Sequence, residues 1–218
     1  LVAQRLSIIV PALNEAPGIR AALEALAPLR ARGHEVIVVD GGSGDGTPAL
    51  AAGLCDRVLG APRGRALQMN AGAQIASGDV LLFLHADTRL PPNADELVHG
   101  TWGRFDVRIE GRHPLLSVVA CAMNLRSRLT GIATGDQAIF VRREAFPGYP
   151  AIALMEDIAL SKALKLHAAP TCLRDKVITS GRRWESRGVL RTIVLMWKLR
   201  LLYFFGVRPD ELARRYYG

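Results

Sequence analysis

The chain has 218 residues, half of them apolar, which suits one α/β domain with a short appendage and excludes wholesale disorder. A formal net charge of +8 and a pI near 10 favour phosphate-bearing partners, whether nucleotide, nucleic acid or anionic lipid. Cys55, Cys121 and Cys172 are widely spaced and odd in number, which argues against a disulfide framework or a zinc site. The opening residues form no charged-then-apolar leader, and together these features point to a cytoplasmic protein.

Residues 6–10 form a short apolar strand closed by Pro11. Residues 16–29 carry apolar side chains at helical spacing, with Asn14 as N-cap and Pro17 in the first turn. Residues 35–39 are a second strand ending at Asp40; a glycine-rich loop follows through Thr47, and Pro48 opens the next helix. Residues 57–59 are a third strand, and residues 67–77 a helix stopped by Gly78. Residues 80–84 are apolar throughout, a strand covered on both faces. This alternation predicts a mostly parallel sheet with helices on both faces. Further along, residues 102–109 read as an antiparallel edge strand, 115–129 as a helix, 138–141 as a strand and 156–166 as a helix. Residues 188–206 form a strongly apolar helix.

Several strand ends carry chemistry. Asp87, two residues past the fourth strand in His85-Ala86-Asp87-Thr88, sits where open α/β sheets bind ligands. Its carboxylate can hold a hard divalent cation, or it can cap the next turn. Asp40 precedes a loop that fails the G-x-G-x-x-G spacing and lacks the P-loop lysine. Asp40 can meet a base edge, or the loop can be a tight turn capped by Asp45 or Thr47. Arg63-Gly64-Arg65 precedes a helix bearing Gln68 and Asn70, a ready diphosphate clamp or a solubilising pair. Gly135-Asp136-Gln137 opens a strand and can bond a hydroxylated ligand or form a turn. Glu156-Asp157 suits a helix start and, with a substrate proton in reach, general-base catalysis.

In order, Pro11-Ala12-Leu13-Asn14-Glu15, Val39-Asp40-Gly41-Gly42-Ser43, Arg63-Gly64-Arg65, His85-Ala86-Asp87 and Glu156-Asp157 resemble the family-2 glycosyltransferases of GT-A fold. The segments "GDQAIFVRRE" and "MEDIALSKALK" look like a small bacterial subgroup. The resemblance implies a Rossmann-like, mostly parallel α/β sheet with a small antiparallel acceptor-side portion. It further implies inverting transfer from a nucleotide-diphosphate sugar to an acceptor hydroxyl, assisted by Mn²⁺ or Mg²⁺. Under it Pro11, Glu15, Asp40, Gly42, Ser43, Arg63, Arg65, Asn70, Ala86 and Asp87 bind the donor. Asp87 is the metal ligand, and His85, which stands where the family's first DxD aspartate would be, can be a second metal ligand, touch the ribose or simply fill space. Asp157, with Glu156, is the catalytic base of the ED motif. Gly135, Asp136 and Gln137 face the acceptor, and Arg183 and Trp184 resemble the end of the QxxRW motif without its glutamine. Trp184 can equally be a packed aromatic.

The expected organisation is a transferase domain over residues 1–187, with a nucleotide-binding half (1–100) and an acceptor half (101–187), then a C-terminal segment (188–218). Arg191, Lys198 and Arg200 interrupt the last apolar helix, each costing about 2.5–3.5 kcal/mol at a bilayer centre, so it does not span one. It can pack on the domain or a dimer partner, or lie on an anionic membrane on the cytoplasmic face, where the acceptor would be lipid-linked. A sugar-phosphate nucleotidyltransferase would need a G-x-G-x-R loop where residues 11–15 stand, and a non-catalytic nucleotide-sugar-binding module would not need Glu156 and Asp157. Nucleic-acid binding has only the net charge behind it.

Overall fold

The computed structural model describes residues 4–217. In chain order the elements are β1 (Leu6–Ala12), α1 (Ala16–Glu24), α2 (Ala27–Ala31), β2 (Glu35–Asp40), α3 (Thr47–Ala51), β3 (Arg57–Gly60), α4 (Arg65–Ile75) and β4 (Val80–Phe83). Then come β5 (Thr88–Arg89), α5 (Ala94–Leu97), β6 (Trp102–Glu110), α6 (Leu115–Thr130), β7 (Phe140–Arg142), α7 (Glu156–Lys165) and β8 (Thr171–Ser180). Three helices follow: α8 (Arg182–Arg187), α9 (Val189–Phe204) and α10 (Pro209–Tyr217). One sheet runs β3-β2-β1-β4-β7-β6-β8-β5. Its first four strands are parallel, β7 is antiparallel to β4 and β6, β8 is parallel to β6, and β5 closes the edge antiparallel.

Alternating side chains of β1 feed two cores. Leu6, Ile8 and Val10 pack with Ile19 and Leu23 of α1 and Leu116 and Val119 of α6. Ile9, on the opposite face, joins Ala66 and Met69 of α4 and Leu160 and Leu164 of α7. A third cluster joins Leu154, Met155 and Ile158, around the start of α7, to Leu199 of α9 and Leu212 of α10.

The register at β1 opens the crevice. β1 pairs with β4 only from Leu6 to Ile9, but with β2 as far as Ala12 opposite Asp40. Ile9 O accepts from Leu84 N at 3.0 Å, so Ile9 bonds toward β4 and Pro11, two residues on, faces the same side. Proline has no N–H to offer there, and β4 has already left, so its place inside a sheet costs no ladder bond. Behind the split, Gln68 of α4 donates from Nε2 to Ala12 O and to Val39 O, both at 2.8 Å. It gets that close because Gly72 lies flat on the sheet; a Cβ there would come 2.5 Å from Ile9 Cγ2.

Four expectations need correction. The helix expected over residues 16–29 is two, with Pro28 in the first turn of α2, and Asn14 is not its N-cap: that place is taken by Glu15. The strand at 102–109 is not an edge but lies between β7 and β8. β8 and β5 were not anticipated. β8 hides its signal because Arg174, Asp175 and Lys176 are exposed at its middle, beside a bulge opposite Arg104 and Asp106.

Gln68→Leu removes two buried hydrogen bonds and leaves Val39 O without that donor. We expect a loss of about 2 kcal/mol in urea denaturation with the m-value unchanged.

Candidate active site

The carboxyl ends of β1 and β2 carry loops sewn to each other. Asn14 N donates to Ser43 Oγ at 2.8 Å, and Gly44 N donates back to Asn14 Oδ1 at 3.0 Å. Glu15 N donates to Thr47 Oγ1 at 2.9 Å, and Ala16 N to Asp45 Oδ2 at 3.0 Å, so α1 is capped from the neighbouring loop. Asp45 also caps α3 by accepting from Thr47 N at 3.0 Å. Asp40 folds the glycine loop over itself, accepting from Gly42 N and Ser43 N at 2.9 Å and from Ser43 Oγ at 2.5 Å. That carboxylate has one lone-pair site left for a ligand.

Asp87 lies partly exposed past β4, and its carbonyl accepts from Ser180 N at 3.2 Å. Glu15 faces it across the crevice. Burial, and then the Asp87 charge, push the Glu15 carboxyl above its usual range, against the pull of Arg182 and Arg183. Arg182 Nη2 stands 3.7 Å from Glu15 Oε2.

A second acidic group gathers at the start of α7. Glu156 is buried and pairs with Arg65, Nε to Oε1, at 3.0 Å. Asp157 Oδ2 accepts from Gly135 N at 3.0 Å and Oδ1 from Ile158 N at 2.7 Å. His85 links the two groups. Its Nδ1 lies 3.2 Å from Asp136 Oδ1, and a Cβ on Gly135 would come 2.5 Å from its Nε2. Burial would raise the Asp136 carboxyl, but the His85 hydrogen bond and the charges of His85, Arg65 and Arg183 outweigh it and hold it below the usual range.

Asn14, Ala138 and Met155 have φ of 54°, 47° and 69°, the positive-φ non-glycine residues among those described. One flanks Glu15, one closes the turn at Gly135–Gln137, and one immediately precedes Glu156. Such conformations cost about 1–3 kcal/mol each and cluster at functional sites.

The expected site residues therefore divide. Glu15, Asp40, Gly42, Ser43, Arg65, Asp87, Gly135, Asp136, Glu156 and Asp157, with His85, stand around the crevice, and Pro11 forms its floor. Arg63 is exposed at its rim, one residue before Gly64 caps α4. Ala86 is buried, which leaves only its backbone to a ligand. Two expectations are corrected. Gln137 does not face an acceptor: it is fully buried, taking Thr134 N at 3.2 Å and giving Nε2 to Ser127 Oγ at 3.1 Å. Asn70 is committed to the Tyr149 backbone, accepting from its N–H and donating to its carbonyl, both at 2.8 Å. Trp184 packs half-buried against the main core, and Arg183 donates to Tyr216 Oη at 2.8 Å.

Arg182 and Tyr149 were not among the expected site residues. Tyr149 is buried beside Phe83, with ring centroids 4.9 Å apart, and burial, then Asp157 and Glu156, push its hydroxyl well above the usual value. No local pattern marks it; only the tertiary contact with β4 does. A cleft of about 650 Å³ lined by Arg112, His113, Glu185, Gly188 and Arg191 is separate from this constellation.

Residues 7–107 match the family model described as "Glycosyl transferase family 2". That segment, a little under half of the chain, is similar to glycosyl transferase family 2. A PGL/p-HBAD biosynthesis glycosyltransferase of Mycobacterium tuberculosis is 36% identical over 97 residues, 41% of this chain and 38% of that protein. The chain thus spans well under half the length of the curated relatives it matches. The mannosyltransferase PcManGT of Pyrobaculum calidifontis, solved with GDP-Man and Mn²⁺, superposes with a TM-score of 0.66 at 20% identity over 97% of this chain and 68% of its own. S. aureus TarS superposes with a TM-score of 0.64 at 21% identity over 81% of this chain and 60% of its own. At such identities these likenesses establish the fold, the α/β GT-A architecture with its mostly parallel sheet and antiparallel addition. The family-2 segment contains Asp40, Arg63, Arg65 and Asp87 and ends within β6; Glu156 and Asp157 lie beyond it.

The Arg65–Glu156 pair has a measurable signature. Burial raises the Glu156 carboxyl, Arg65 opposes that and Asp157 adds to it. A carboxyl whose folded pKa exceeds its unfolded value favours folding less as pH rises between the two. Arg65→Met removes the opposing cation, so we expect a loss of about 3 kcal/mol near neutral pH that shrinks as pH falls through the Glu156 range. Urea titrations across pH check both sign and window.

Proposed function

We propose that the protein transfers a sugar from a nucleoside-diphosphate sugar to an acceptor hydroxyl, inverting the anomeric centre in one displacement. The observation that carries this reading is the placement of two acidic stations around one crevice, Asp87 with Glu15 and Asp157 with Glu156, joined through His85 and the Gly135 turn. The glycine loop after Asp40 brings backbone close to the base, and the remaining acceptor capacity of Asp40 meets a base N–H. Arg63 and Arg65 approach the diphosphate.

The residues present fit a hard divalent cation, Mn²⁺ or Mg²⁺. Among the described residues no three His, Cys, Asp or Glu form a closed metal site. A cation that keeps its waters and shares substrate phosphates needs only one or two carboxylates, which Asp87 with nearby Glu15 can supply. His85 is turned to Asp136 and Gly135, so its part is to position that turn rather than to replace a missing aspartate ligand. When bound, the cation neutralises charge on the departing diphosphate. Asp157, oriented by Gly135 N, takes the acceptor proton from the opposite side of the sugar.

The same reading places the acceptor side at a membrane surface. No helix among the described residues is long and apolar enough to cross one. α9 buries Val189, Thr192 and Leu199 but exposes Leu190, Val194, Trp197, Leu201 and Phe204 along one stripe, with Trp197 at 69% and Phe204 at 77%. Arg187, Arg191 and Lys198 are exposed beside that stripe, and α9 carries no acidic residue. An apolar stripe with a basic flank matches an anionic lipid surface better than a second copy of the same basic chain.

Three measurements test these statements. UDP or GDP with Mn²⁺ should raise the unfolding temperature, and Asp87→Ala should remove the metal-dependent part; no shift with any nucleoside diphosphate would overturn the donor assignment. Asp157→Asn should slow nucleoside diphosphate release from the donor by about 10²–10⁴-fold while the nucleotide-induced shift persists. The protein should float with phosphatidylglycerol vesicles but not with phosphatidylcholine alone, and Trp197→Glu with Phe204→Glu should abolish flotation. Dimerisation in solution without flotation would give that face to a second copy instead.

A further inference from the structure

Most buried or half-buried arginines near the crevice have an acceptor. Arg65 has Glu156, Arg104 pairs with Asp106, and Arg128 reaches Asp106 at 2.8 Å. Arg126 and Arg200 do not. Nε and Nη2 of Arg126 and Nε of Arg200 are shut away from solvent, and none has a hydrogen-bond partner. Buried donors without acceptors are rare in folded proteins, and charged ones rarer, because each forfeits its hydration.

Their position is specific. Arg126 lies on α6 beside Ser127, whose Oγ accepts from Gln137 at the end of the Gly135 turn. Arg200 lies on α9 beside Leu199, which packs with Met155 and Ile158 on either side of Glu156 and Asp157. Each arginine is thus the chain neighbour of a residue packed against one of the two segments that hold the proposed base. Burial lowers Arg126 to about 10, Arg200 adds to the effect and Asp157 opposes it; burial lowers Arg200 as well, with Asp157 and Asp136 opposing. Asp157 accepts from Gly135 N and Ile158 N and makes no hydrogen bond to the buried nitrogens of either arginine.

We propose that Arg126 and Arg200 form an anion subsite beside Asp157 that holds a phosphoryl group of the acceptor, so that the acceptor is a phosphorylated hydroxyl compound. This rests on the transfer reaction proposed above. A phosphate monoester carries about −1.5 to −2 at neutral pH, enough to answer two guanidinium charges, and its oxygens match their planar forks. A carboxylate would neutralise only one. The phosphate belongs either to a soluble molecule or to a lipid headgroup delivered at the α9 face.

The test uses the full chain and begins with inorganic phosphate, against chloride at equal ionic strength, with UDP or GDP and Mg²⁺ present to fill the donor side. Phosphate should raise the unfolding temperature, and Arg126→Gln and Arg200→Gln should each weaken its binding about tenfold or more. Without phosphate, each variant should unfold no lower than the parent, because one of two unpaired like charges is gone; a marked drop would mean a structural role and overturn the subsite. A phosphate shift unchanged in both variants, or no shift in the parent, would overturn it too. Glycerol phosphate and lysophosphatidic acid in phosphatidylcholine vesicles, each with a phosphate monoester and a free hydroxyl, then separate the sources: stimulation of nucleotide release by the first but not the second identifies a soluble acceptor, and the reverse a lipid. The nucleotide-induced shift is read separately, so failure of the donor assignment is distinguishable from failure of the phosphate subsite.

Discussion

Strand β1 loses its partner on one side before it loses the partner on the other, and the crevice follows from that asymmetry. Pairing with β4 stops at Ile9, while pairing with β2 runs on to Ala12. Pro11 makes the parting permanent, since it has no N–H to offer a returning strand. Gln68 keeps it from spreading by holding the ends of β1 and β2 from behind. The loops that leave these two strands then tie their own backbone amides to Asn14, Ser43, Asp45 and Thr47. A nucleotide would meet a surface whose donors are already fixed, which lowers the ordering cost of binding.

The acidic side of the crevice depends on a different stabilisation. Met155 adopts a left-handed conformation that an ordinary residue avoids, and the cluster of Leu154, Ile158, Leu199 and Leu212 around it offsets that cost. The result is a helix start that sends Glu156 inward to Arg65 and Asp157 toward the Gly135 turn. The C-terminal helices therefore serve the site from behind, although their outer stripe faces solvent.

Much of the fold was legible because parallel strands buried on both faces are written as unbroken apolar runs, as in Val80–Phe83 and in residues 36–39 of β2. β8 was not, because its bulge and its exposed Arg174, Asp175 and Lys176 break both alternation and apolarity. For the site, carboxylates at strand ends and a helix start were visible as types in position. What Gln137 and Asn70 do was not, since a polar side chain beside a motif can be claimed by the core, and both are. Tyr149, Arg126 and Arg200 carry no local mark. They reach the site only through helix packing and a loop's return.

The contact of His85 with Gly135 has a further consequence. The imidazole touches a backbone with no side chain, and that same backbone N–H holds Asp157. The turn that carries Asp87 and the helix that carries Asp157 are thus separated by a spacer made of one ring and one turn. In a displacement reaction, the entering oxygen and the departing one must lie in line on opposite sides of a single carbon, and misplacement by about 1 Å can cost a hundredfold in rate. A spacer of fixed length acts as a gauge for what lies between them. Choice among sugars would then fall to the size of one ring, and a larger residue at Gly135 would reset the gauge rather than merely loosen the fold.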